Sequence, residues 1–127
     1  MKSVAKSTVA AVQMVSTPDV DENIATARRL IADAAARGAQ LVTLPEYWPI
    51  MGMTDTDKVA HAEQPGHGPI QDFLAAQARE HGIWLIGGTL PLVSGDAGRV
   101  LNTTLVYEPA GHHVGRYDKI HLFGFNK

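Results

Sequence analysis

The chain has 127 residues, 45% of them hydrophobic and 19% charged, a balance that suits one globular domain of ordinary size and excludes a disordered chain. Its formal net charge is -2, and its Lys and Arg residues are scattered from Lys2 to Lys127, with Arg28 and Arg29 the one adjacent pair. That pattern offers no electrostatic footprint for nucleic acid or an anionic membrane. Cysteine is absent, which removes disulfides, thiolate zinc sites and a thiol nucleophile from these residues.

Met1, Lys2 and Lys6 give the start a basic character, but the stretch Thr8 to Val15 contains Gln13 and has no small-residue cleavage site behind it. It reads as a first strand, Ser7 to Val15, not as a secretion signal. No apolar run approaches the roughly 18 residues of a membrane span, so a cytoplasmic location is expected. Pro18 and Asp19 end the strand. Asp19 or Asp21 then caps a helix with Glu22 in its first turn. Val20, Ile24, Ala27, Ile31 and Ala34 recur at helical spacing, Leu30 and Ala35 widen the stripe, and Gly38 closes it. Gln40 to Leu44 is a short apolar strand stopped by Pro45. Strand, helix and strand make a βαβ unit with parallel strands.

From Glu46 to Gly68 the pattern is broken by Pro49, Gly52, Pro65, Gly66 and Gly68, with a short helical turn expected over Lys58 to Glu63. Pro69 then opens a helix whose stripe is Ile70, Phe73, Leu74, Gln77 and Ala78, closed by Gly82. Ile83 to Leu90 reads as one buried strand. Ser94 to Gly98 is a turn, Val100 to Tyr107 a strand, and Pro109 to Gly111 a turn leading into His113 to Tyr117 as a hairpin. The order describes an α/β fold whose later strands lengthen the sheet.

Two positions carry chemistry. Glu46 follows the second strand directly, in Leu44-Pro45-Glu46-Tyr47, and strand C-terminal ends are where open α/β sheets place ligands. A carboxylate partly desolvated beside Tyr47, Trp48 and Pro49 suits a general base; taken alone, a capping or ion-paired Glu is the commoner case. Lys119 lies in Tyr117-Asp118-Lys119-Ile120-His121-Leu122-Phe123, where an ammonium can stabilise an oxyanion. By itself it reads more readily as a solvated charge beside Asp118.

Taken together, Leu-Pro-Glu after a βαβ unit and Tyr-Asp-Lys-Ile-His-Leu-Phe after a hairpin resemble the first two catalytic signatures of the nitrilase superfamily. Ala11-Val12-Gln13-Met14, Asn23 near a helix start, Gly87-Gly88-Thr89 and Asn102-Thr103-Thr104 extend the resemblance over nearly the whole chain, nearest to the Nit-like amidase branch. The resemblance implies a partial α-β-β-α sandwich, with residues 1–127 the N-terminal part of a single carbon–nitrogen hydrolase domain. It implies hydrolysis of non-peptide linear amides, or of nitriles, by a Glu, Lys and Cys set with no metal and no organic cofactor. Glu46 would be the general base, Lys119 would stabilise the tetrahedral intermediate, and a small-molecule amide would be the substrate. Tyr47 is a candidate substrate contact.

The family's cysteine lies some tens of residues beyond the lysine motif, with a further glutamate between. Neither falls within these residues, and Ser16, Ser94 and Thr103 do not match the nucleophile's place. Residues 1–127 alone are therefore expected to be inactive. A half sandwich exposes an apolar sheet face, so self-association into a homo-oligomer is expected as well. The alternative is a non-catalytic half-domain that binds a ligand or a complementing partner chain. A nucleotide-binding module is disfavoured, because Gly87-Gly88 lacks the pattern of a phosphate loop. His61, His67, His81, His112, His113 and His121 show no zinc-type spacing. Tyr47, Trp48, Met51 and Met53 fit either a pocket mouth or the packing of an irregular loop.

Overall fold

A computed structural model describes residues 5–120, and of Asp55 the backbone only. Its elements, in order, are β1 (Val9–Ala11), α1 (Val20–Ala36), β2 (Leu41–Thr43), α2 (Asp55–Ala60), α3 (Pro69–His81), β3 (Trp84–Ile86), β4 (Leu90–Val93), β5 (Val100–Tyr107) and β6 (His113–Asp118). The six strands form one mixed sheet in which β1, β2 and β3 run parallel, while β5 pairs antiparallel with β3, β4 and β6. No helix among the described residues is long and apolar enough to cross a membrane.

Helix α1 begins where the sequence places it. The Asp19 carboxylate accepts the Glu22 N–H at 3.2 Å, satisfying a donor that the first turn cannot bond internally. Of its apolar stripe, Ala27 and Ile31 are fully buried. Helix α3 starts with Pro69, ends on Gly82 in the left-handed conformation (φ 60°), and buries Ile70, Phe73, Leu74, Gln77 and Ala78. The two helices pack on each other, with the Arg28 guanidinium 5.5 Å from the centre of the Phe73 ring, and both cover one face of the sheet. On that face Val42 and Leu85 are fully buried. Each such side chain removed from water contributes roughly 1.5–3 kcal/mol before the entropy of ordering it is counted.

Successive side chains of a strand point to opposite faces. Val9, Leu41 and Trp84, which sit in register across β1, β2 and β3, therefore project from the other face, and no helix among the described residues covers them. Val9 is 66% exposed and Trp84 45%. This departs from the expectation of a buried strand over residues 83–90, which presents one buried and one open side.

That stretch also departs from expectation in being two strands. Ile86 pairs with Val106 and Leu90 with Thr103, so three residues, 87–89, face the two residues 104 and 105. The extra residue is a bulge, and β3 and β4 follow one another along the same edge of β5. Gly88 takes φ 59° there, and a Cβ would run into the carbonyl oxygens of Pro45 and, at 2.8 Å, Leu44. Only glycine lets the backbones approach so closely.

The short helix lies at 55–60 and not at 58–63. The Asp57 carboxylate accepts the N–H groups of Met53 (2.7 Å) and Thr54 (3.1 Å), which fixes the start of the turn. Glu63 instead closes the irregular segment. Its backbone bonds to Pro91 and Val93 beside β4, and its buried carboxylate accepts from the N–H groups of Ile70 (2.7 Å) and Gln71 (3.1 Å) at the start of α3.

Candidate active site

The segment that leaves β2 is held from two sides. On one side the Trp48 indole N–H donates to the Gly87 carbonyl and the Tyr47 N–H to the Thr89 hydroxyl, both at 2.8 Å. On the other, the Ser16 hydroxyl donates to the Trp48 carbonyl at 2.8 Å, and the side-chain amide of Asn23 donates to the Pro49 carbonyl at 2.8 Å and the Thr17 carbonyl at 2.7 Å. Trp48 is fully buried and its ring lies 5.6 Å from that of Phe73. Tyr47 takes φ 53°, uncommon for a residue with a side chain, and the bond to Thr89 helps to hold it there. Glu46 is thus presented from a fixed turn.

Lys119 follows β6 directly. The pairing of Thr103 with Asp118 continues one step further, where the Lys119 N–H donates to the Asn102 carbonyl at 2.8 Å. By strand alternation Asn102 and Lys119 share the sheet face that the helices leave open. The structure brings Glu46 and Lys119 together on it: the ammonium lies 3.0 Å from Glu46 Oε2. The Asn102 side-chain amide donates to the same oxygen at 3.1 Å. Ile120 is strongly exposed. His121, Leu122 and Phe123, which complete the second motif, lie outside the described residues.

The Lys119 hydrogen bond is the chief reason that the Glu46 carboxyl is held below its ordinary range; burial pulls the other way, and Asn102 and the Lys58 charge add to the lowering. The sequence left open a partly desolvated Glu or an ion-paired one. Here the side chain is 49% exposed, so pairing outweighs desolvation and the carboxylate is ionised at neutral pH. Burial, and then the Glu46 charge, push the Tyr47 phenol upward. The Lys58 ammonium sits 3.8 Å from the centre of the Tyr47 ring, a cation–π distance. Met51 and Met53 are largely exposed, so of the four residues with two open readings, only Trp48 is wholly packed.

A cavity of about 510 Å³ lies elsewhere, lined by residues such as Gln71, Ala75, Leu105, Tyr107, His113 and Arg116. Leu105 and Tyr107 alternate with Asn102, which puts this cavity on the helix side of the sheet, away from Glu46 and Lys119.

Asn23, Thr89 and Asn102 shape the site without having been singled out for it. The only trace in the sequence was their membership of segments similar to the superfamily; their partners are 26, 42 and 56 residues away.

The chain and its fold match known proteins. The carbon-nitrogen hydrolase family model matches residues 8–127, and the chain belongs to that family. Its relatives include Nit-like amidases: it is 36% identical over 118 residues to a deaminated glutathione amidase of Synechocystis sp., covering 92% of this chain and 43% of that protein. It is 38% identical over 120 residues to omega-amidase NIT2-A of Xenopus laevis, covering 94% and 42% respectively. The chain therefore spans less than half the length of these relatives. Among solved structures, the C. elegans NitFhit protein superimposes with a TM-score of 0.78 at 28% identity, over 94% of this chain and 29% of that one. Nit3 of Saccharomyces cerevisiae superimposes with a TM-score of 0.73 at 24% identity, over 84% and 41%, a likeness of fold.

Proposed function

We propose that this chain is part of an amidase acting on small linear amides, with Glu46 as general base and Lys119 as oxyanion stabiliser. The observation that carries the reading is the 3.0 Å contact between Lys119 Nζ and Glu46 Oε2 on the open face of the sheet. Family membership and amidase relatives support it. A thiol supplied from beyond residue 127 completes the set in this reading.

Glu46 takes the thiol proton, and the thiolate attacks the amide carbon. The carbonyl oxygen becomes an oxyanion beside the Lys119 ammonium. The C–N bond breaks as the proton passes from Glu46 to the leaving nitrogen, which leaves a thioester. Glu46 next takes a proton from water, whose oxygen attacks the thioester carbon; the C–S bond breaks as Glu46 passes that proton to the sulfur, which restores the thiol and the free carboxylate. An ionised Glu46 is the form required at the first step. Burial under a second layer would raise its basicity towards the working pH.

Tyr47 is proposed to touch the substrate, since its ring borders Glu46 and carries the Lys58 ammonium. We further propose that residues 1–127 have no amidase activity alone and that the enzyme works in the cytoplasm without metal or cofactor. The second reading, a non-catalytic half-domain completed by a partner chain, draws on the exposed Val9 and Trp84 of the open face.

The test is turnover of a small linear amide by the protein extended through the cysteine-bearing segment. Glu46→Gln and Lys119→Ala are each expected to lower kcat/KM by about 10²-fold or more while leaving the fold intact. Near-normal turnover in either variant would mean that the roles sit on other residues.

A further inference from the structure

Glu46 and Lys119 are 73 residues apart, and one residue binds to both. The Asn102 side chain donates to Glu46 Oε2, and the Asn102 carbonyl accepts the Lys119 N–H. Asn102 itself is 2% exposed, on the long strand β5 that pairs with three others. Its Oδ1 is buried and has no hydrogen-bond partner among the described residues. The amide cannot be turned to relieve this, because Oδ1 would then face the Glu46 carboxylate, acceptor against acceptor.

We propose that Asn102 is the positioning residue of the Glu46–Lys119 pair, fixing the carboxylate with its side chain and the ammonium's strand with its backbone. This rests on the amidase reading above. Because Asn102 and Lys119 both grip Oε2, Oε1, which has no hydrogen-bond partner among the described residues, is the oxygen left to accept the thiol proton. Asn102 acts through Glu46 and touches no reacting atom. The other charged or titratable groups facing Glu46 among the described residues are Lys119 from the end of β6, Lys58 from α2 and the adjacent Tyr47 phenol.

The experiment is a carbon-detected NMR titration of the Glu46 carboxyl in the 127-residue chain. In Asn102→Leu, which removes the donor at similar size, the midpoint is expected to rise by about one pH unit, as loss of a charge-assisted hydrogen bond requires. Asn102→Ser, too short to reach, should show the same rise. The unaltered chain supplies a reading independent of any variant's folding: the Asn102 side-chain amide protons should titrate with the Glu46 midpoint. An unmoved midpoint in a folded variant, or amide resonances that stay flat through the Glu46 titration, would overturn the proposal. These readouts need no turnover. Their failure would sink the role of Asn102 alone, whereas an unaltered extended protein that turns over no small linear amide would sink the amidase assignment.

Discussion

The main-chain N–H of Tyr47 donates to the Thr89 hydroxyl at 2.8 Å, joining the residue after the candidate base to the bulge between β3 and β4. Thr89→Val keeps the shape and removes the acceptor. It is expected to cost about 1–2 kcal/mol, because a partly buried N–H loses its partner. Denaturant unfolding would measure this, and a midpoint equal to wild type would show that the bond contributes nothing to the turn.

Glycine is expected to be irreplaceable at position 88 and nearly free at position 38. Both have positive φ, 59° and 90°, but a Cβ at Gly88 meets the backbone of Leu44 and Pro45, whereas one at Gly38 meets nothing within 4 Å. Gly38→Ala should cost about 1 kcal/mol from its dihedral alone. Gly88→Ala should cost about 3 kcal/mol or more, since the strained dihedral and the collision add. Thermal melts of the pair would decide it; equal losses would contradict the close approach.

Acid should weaken the fold through two carboxylates. Glu46 is held low first by Lys119, and Asp118 first by the Thr103 hydroxyl and then by Arg116. A carboxyl whose folded value is depressed contributes stability above its unfolded value and loses it as pH falls through the folded one. The loss therefore begins near the ordinary values of 4.5 and 3.8 and deepens below them. Both groups are substantially exposed, so each share is small and salt-sensitive. Denaturant midpoints followed from neutral pH to strong acid should fall less steeply for a Glu46→Gln, Asp118→Asn double variant. An unchanged acid slope would show that neither contact outlasts solvent screening.

The open sheet face should make the isolated chain self-associate, with Val9, Trp84 and Tyr117 as the exposed apolar groups. Trp84→Lys is expected to shift the population towards monomer in sedimentation runs. A wild-type chain that sediments as a folded monomer at micromolar concentration would refute this.

Periodicity alone located α1 and α3, because each buries one continuous stripe; Ile31 and Leu74 lie where a 3.6-residue repeat puts them. Glu46 and Lys119 stood out only as a motif pair, each reading more simply in isolation, and the structure sets their side chains 3.0 Å apart. The bulge was not legible. Ile83 to Leu90 is unbroken apolar sequence, and its extra residue is defined only against β5. Nor could sequence spacing reveal Asn102, whose side chain serves a residue 56 positions away. The short helix slipped by three residues because the Asp57 carboxylate, and not an apolar stripe, sets its start.

The Glu63 clamp has a consequence for how proteins of this architecture diversify. With Glu63 pinned to β4 and α3, and Trp48, Pro49 and Met51 pinned to Ser16, Asn23 and Thr17, the stretch between them is a cassette tied at both ends. Lys58 travels with that cassette, while Glu46 stays with the scaffold. Neighbours of the carboxylate can thus be swapped by grafting one loop, with the carboxylate itself left where it is.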